Sequence, residues 1–258
     1  MPKAEIDRLR TILHKYELAS AVPPDDLGDA VTSGGVFGLG YTARVAMKRK
    51  ANVEERRRVL CDAAIEILAQ EGARGLTHRE VERRAGLPDG TTSSYFRTRS
   101  ALLRATAERV AELDVADFEA TMRQLPVSET ATNPTTLALL AEMAMRQAAG
   151  PGLDRSRARY ELALHAHRDA TLSRAFDDVI AGFVALSEQA VTQVQPDGPV
   201  DQALVEEQAH AITTFLNGVT FRQAVGTRSI ENAEELTRLL HALVAGIAAS
   251  RQVHTGQI

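Results

Sequence analysis

Residues 56–103 read RRRVLCDAAIEILAQEGARGLTHREVERRAGLPDGTTSSYFRTRSALL, and this stretch decides the fold. In Val59–Leu68 the apolar residues fall at 59, 60, 63, 64, 67 and 68, which is one face of a helix. That helix is expected to start near Glu54 and to end at Gly72 and Gly75. Thr77 is an N-cap with Glu80 three residues on, the spacing of a capping box. A short helix should follow over Thr77–Arg84, presenting Val81 and Ala85 to one side. Ala85 and Gly86 permit a tight turn, Leu87 can anchor it in the core, and Asp89 can cap a second short helix through Thr91–Phe96. Two short helices joined by a Gly-containing turn of about four residues make a helix-turn-helix.

The second helix of such a motif enters the major groove of DNA with its amino-terminal residues on the base edges. Here that end carries Thr91, Thr92, Ser93 and Ser94, small hydroxyl groups that can approach bases and phosphates closely. Tyr95 can pack and donate to a phosphate at once, and Phe96 should be core. Thr77 and Arg79 lie on the preceding helix, while Arg97 and Arg99 stand where the next one begins and can pair with phosphates. Lys48, Arg49 and Lys50 read as a flexible basic arm ahead of the first helix, suited to phosphate or minor-groove contact. Cys61 sits among packing residues and reads as a small buried hydrophobe.

The stretch resembles the DNA-binding domain of TetR-family transcriptional regulators. The family pattern is a Thr opening the second helix, Ala-Gly, a short turn, Gly-Thr, an aromatic pair ending in Phe, and a basic residue leading into Leu-Leu. This sequence supplies Thr77, Ala85-Gly86, Gly90-Thr91, Tyr95-Phe96, Arg99 and Leu102-Leu103. It departs at Ser93 and Ser94, where the family often has an aromatic. The resemblance implies a one-component, ligand-responsive DNA-binding regulator, most often a repressor. It implies an all-α fold: an N-terminal three-helix helix-turn-helix domain, then a larger helical domain for effector binding and dimerisation.

Helical periodicity continues to the end of the chain, with no convincing strand. Breaks fall at Pro126, Asn133-Pro134, Gly150-Pro151-Gly152, Pro196–Pro199 and Gly226–Ser229, which leaves about nine helices after residue 50. Three segments are expected: an N-terminal extension or arm over 1–46, the DNA-binding domain over 47–104 with its motif at about 77–96, and the helical effector and dimerisation domain over 105–258. Met47 would itself make a credible start.

In the last helix, Leu236, Leu239, Leu240, Leu243 and Ile247 form one stripe, and Ala242, Ala245, Gly246 and Ala249 a second. A helix apolar on two sides needs two partners. Phe221, Leu239, Leu243, Ala245, Gly246 and Ala249 are therefore expected at a two-fold homodimer interface, which would place two recognition helices one DNA turn apart on a palindromic operator. Phe118, Met122, Met143, Met145, Tyr160, Phe176 and Phe183 are candidates to line a pocket for a small apolar effector.

Charge supports this division. The net charge is −4 over 258 residues, but residues 1–46 carry −1, 47–104 carry +5 and 105–258 carry −8. A basic head on an acidic body points to a nucleic-acid module fused to another unit. There is no Ser/His/Asp signature, no phosphate loop and no metal-ligand spacing. His165 and His167 are two apart on a helix and point away from one another. No enzyme activity, cofactor or metal is expected. One cysteine excludes an intrachain disulfide and fits a reducing compartment. The longest apolar run, Ala242–Ala249, is too short to span a bilayer, and MPKAEIDRLR lacks a secretory h-region, so a cytoplasmic protein is expected. The alternatives are a dimeric interaction module with a degenerate helix-turn-helix, and an activator.

Overall fold

The computed structural model describes residues 39–124, 136–167, 169–196, 198–227 and 230–255. Within them lie nine helices and no strand: α1 (Leu39–Gly75), α2 (His78–Ala85), α3 (Thr91–Tyr95), α4 (Arg99–Gln124), α5 (Thr136–Gln147), α6 (Gly150–Ala166), α7 (Ala170–Thr192), α8 (Gln202–Ala224) and α9 (Ala233–Thr255). The chain is all-α, as its periodicity predicts.

α1 begins at Leu39 and not near Glu54. Nothing in Tyr41–Val53 breaks a helix: this segment has neither Gly nor Pro and is rich in Ala, Lys and Arg. Lys48, Arg49 and Lys50 therefore lie on helical backbone, which corrects the expectation of a flexible arm. Helical geometry breaks at Gly72, whose φ of 69° and ψ of −176° suit a residue without Cβ. The break turns the chain from α1 towards α2.

Two apolar cores result. The first gathers Leu60, Ala64, Ile67 and Leu68 of α1 with Leu76, Val81, Phe96, Leu102 and Leu103. It also takes in Ala158, Leu162 and Ala166 of α6 and Leu172 of α7, so the body's helices complete the core of the head. The second joins Leu137, Leu140 and Ala141 of α5 to Leu186, Val191, Ile212, Leu236 and Leu240 of α7, α8 and α9. Cys61 is 4% exposed, and burial pushes its thiol up from 9.0 to about 12, which fits a packing role. No helix among the described residues is long and apolar enough to cross a membrane.

Candidate nucleic-acid interface

α2 starts as its sequence predicts. Thr77 is its N-cap, and its Oγ1 accepts the Glu80 N–H at 3.2 Å. The reciprocal half of the capping box is absent. Glu80 instead turns its carboxylate to Arg83, accepting from Nε at 2.8 Å, and that hydrogen bond holds its carboxyl below the usual range. α2 ends at Gly86 in the left-handed conformation (φ 65°), and the Leu87 N–H closes the end on the Glu82 carbonyl at 3.0 Å. This backbone geometry is why Gly follows Ala85.

The amino end of α3 is secured from α2. Gly90 occupies the N-cap with no side-chain cap bond, so the expected role of Asp89 as a cap is not taken. Gly90 has no side chain to offer, and the Thr91 N–H instead reaches the Pro88 carbonyl at 3.2 Å. The next N–H, that of Thr92, goes to the buried carboxylate of Glu82 at 2.7 Å. The Thr92 hydroxyl donates to the His78 carbonyl at 3.3 Å, and His78 Nε2 donates to the Phe96 carbonyl at 2.9 Å. Phe96 is 2% exposed, as expected of core, with the Arg57 guanidinium 4.8 Å over its ring.

Thr77, Arg79, Ser93, Ser94 and Arg97 are each exposed, and Thr91 and Tyr95 are half-buried. The Thr91 hydroxyl donates to the Pro88 carbonyl at 2.6 Å, and that of Ser94 to the Gly90 carbonyl at 3.0 Å. Thr92 is not among the exposed groups: it is fully buried, with its N–H and hydroxyl engaged inside. Arg99 faces inward too. Its Nε donates to the Leu76 carbonyl at 3.3 Å, a second nitrogen bonds the Ala73 carbonyl, and the third lies 3.1 Å from His165 Nε2 on α6. A guanidinium can only donate, so His165 Nε2 is the acceptor side of that contact. Both Thr92 and Arg99 thus depart from the expected row of DNA-facing groups, because remote partners claim them. Neither Glu82 nor His165 was expected at the motif.

α6 grips the head at a second point. Glu161 Oε2 accepts the Ala73 N–H at 2.9 Å, directly after the Gly72 break. Ser100 bonds Asp169 just beyond α6. His167, two residues on from His165, is exposed.

In the body, an 80 Å³ cavity lies between α5, α6, α7 and α8. Met143, Phe176 and Phe183 line it, together with Arg159, which sequence reasoning passed over. Tyr160 stands behind the wall. Its hydroxyl meets Thr220 Oγ1 at 2.8 Å and donates to the Asn217 carbonyl at 3.1 Å. Met145 packs on the second core and does not line the cavity. The side chains of Phe118 and Met122 lie outside the described residues.

On α8 and α9, Phe221 (49% exposed), Ala245, Gly246 and Ala249 are open to solvent, as is Val225 (60%) at the C-cap of α8. Phe221 meets Tyr160 edge-on, with ring centroids 5.2 Å apart. Leu239 and Leu243, on the leucine stripe, are partly buried and pack against the second core. The apolar moiety of α9 splits by size: the leucines turn inward and the small residues outward.

A basic helix-turn-helix held on a helical body defines a DNA-binding transcriptional regulator. The family model for bacterial regulatory proteins of the tetR family matches residues 60–106, and that for the tetracyclin repressor-like C-terminal domain matches 131–246. The chain belongs to the TetR family. Among solved structures, a TetR-family transcriptional regulator from Rhodococcus sp. is 21% identical, with a TM-score of 0.58 over 75% of this chain and 98% of that one. A transcriptional regulator from Pseudomonas aeruginosa PAO1 is 17% identical, with a TM-score of 0.56 over 76% and 91% of the two chains. A TetR-family member from Streptomyces coelicolor A3 is 23% identical, with a TM-score of 0.53 over 73% and 98%. No curated protein matches the chain.

Proposed function

We propose that the protein is a homodimeric cytoplasmic repressor that binds a palindromic operator and is released by a small apolar effector. The observation that carries the reading is the solvent exposure of Thr77, Arg79, Ser93, Ser94 and Arg97 within the helix-turn-helix. Arg79 and Arg97 would meet phosphates, and the serines at the start of α3 would meet base edges. Lys48, Arg49 and Lys50, one helical segment upstream, would add phosphate contacts. The DNA-binding domain would span 47–104 and the effector and dimerisation domain 105–258.

Dimerisation would use the outer faces of α8 and α9. Phe221 and Val225 would supply apolar bulk, and Ala245, Gly246 and Ala249 would allow close backbone approach across a two-fold axis. The effector would enter the cavity of Met143, Phe176 and Phe183, with Phe118 and Met122 as further candidates. At 80 Å³ the cavity is smaller than the usual 300–1,000 Å³ of a ligand pocket, so binding would widen it. Widening would favour one spacing of the two heads over the other, and only that difference in affinity could release DNA.

A mobility shift with the DNA upstream of the gene tests the reading. A specific band should form at low salt and weaken steeply as salt rises. No specific band at low salt would overturn it.

A further inference from the structure

The cavity wall has charge of one sign. Among its described lining residues Arg159 is the one charged side chain, and the other polar groups are hydroxyls and amides such as Ser187, Thr213 and Asn217. Arg159 is not idle. It donates to Asp114 Oδ2 on α4 and reaches Gln147 Oε1 at 3.5 Å. Asp114 is nearly closed to solvent, with its side chain 10% exposed. Its second oxygen, Oδ1, lies 3.5 Å from Arg155 Nε, yet neither atom completes a hydrogen bond. Arg155 binds Asp117 through its other end. Asp114 is thus shared between two arginines of α6, with one bond made and one available. An unmade hydrogen bond between buried charged groups is costly, so the available bond is a second resting place for the carboxylate.

We propose that the effector is an anionic amphiphile, such as a carboxylic acid with an apolar tail, whose head takes Arg159 from Asp114. The proposal rests on the effector-responsive reading above and adds the chemistry of the ligand and the bond that it breaks. The tail lies on Met143, Phe176 and Phe183. The displaced Asp114 swings to Arg155 Nε, where a partner already waits. Because Asp114 stands on α4, and α4 starts at Arg99 beside the recognition helix, the exchange shifts the helix that carries the head. A cationic ligand would meet Arg159 with no described acid in the wall. A neutral one would bring no charge to compete with Asp114. The α7 side gives access, since Ile180 is 52% exposed there. At 80 Å³ the cavity is smaller than one of about 150 Å³ that takes benzene, so the tail enters as the site widens.

Calorimetry on the full-length protein with hexanoate, hexanamide and hexylamine tests this. Hexanoate should bind at least about tenfold more tightly than hexanamide, equivalent to about 1.4 kcal/mol, and hexylamine should not bind. Arg159→Gln should erase the preference for the acid. That variant removes the bond that Asp114 makes in the resting state and could lower stability, so Asp114→Asn/Arg159→Gln, which keeps an uncharged pair, carries the same expectation. Equal binding of hexanoate and hexanamide, tighter binding of hexylamine, an acid preference retained in the double variant, or binding of none of the three overturns the proposal. The effector reading fails separately, if no compound of a varied acidic, neutral and basic set releases the operator.

Discussion

The Glu82 carboxylate on α2 accepts the backbone N–H of Thr92 on α3 at 2.7 Å, and the two residues are 3% and 0% exposed. This bond spans the turn of the helix-turn-helix and sets the angle at which α3 leaves α2. Thr92 adds its hydroxyl to the His78 carbonyl, so α3 is secured at both atoms of one residue.

Glu82→Ala should strand the Thr92 N–H in the interior, costing about 1–3 kcal/mol. Glu82→Gln keeps an acceptor oxygen and should recover most of the loss. Denaturant titration measures the stability, and operator affinity should follow the same order. Equal stability of the Ala and Gln variants would remove the bond from the account.

The arginines of the head should separate by salt dependence. Arg79→Ala and Arg97→Ala each remove an exposed cation, and each should lower the slope of log K against log salt by about 0.9. Arg99→Ala should instead lower the melting temperature of the protein and leave the slope unchanged, because its guanidinium holds Ala73, Leu76 and His165. A lowered slope with an unchanged melting temperature would place Arg99 on the DNA.

The outer face of α9 should not tolerate bulk in a dimer. Ala245→Arg and Ala249→Arg add long charged side chains at positions that are exposed in the single chain, so its fold should hold. Sedimentation velocity should show a shift from dimer to monomer, with the helical circular dichroism unchanged. A dimer that survives both substitutions would move the interface elsewhere.

Cys61 predicts a pH dependence of known sign. Burial raises its thiol from 9.0 to about 12, so the unfolded chain loses that proton first. The stability that the thiol contributes is complete below pH 9 and is lost as pH rises through this window. The advantage of the wild type over Cys61→Ala should fall by about 1.4 kcal/mol per pH unit there. A constant difference would mean that the thiol ionises freely in the folded protein.

The motif was legible where its partners are close in sequence. Thr77 bonds a residue three positions on, Gly86 answers a local backbone demand, and Phe96 closes the short recognition helix as a buried aromatic. Met143, Phe176 and Phe183 line the cavity, but Met145 and Tyr160, chosen for the same side-chain types, do not, so residue type alone does not separate cavity wall from core. The inward turn of Arg99 was not legible, since His165 is 66 residues away and only packing of α6 on the head brings them together. Thr92 looked like a reader of bases because every neighbouring hydroxyl does. Only the burial of Glu82, a charged residue that a helical pattern alone would leave in solvent, distinguishes it. Arg159 carried no signal, since one arginine among Arg155, Arg157 and Arg159 on α6 cannot be told from the others without the cavity.

The seating of Ala158, Leu162, Ala166 and Leu172 in the first core limits how this head could be transplanted. A chimera that grafts residues 47–104 onto another regulator would leave Leu60, Leu68 and Leu102 facing a stranger's helix. Glu161 and His165 would stay behind with the donor body. The unit that could be exchanged intact is discontinuous: the head together with the facing side of α6. New operator specificity is therefore more readily introduced by replacing Arg79, Ser93, Ser94 and Arg97 in place than by moving the domain.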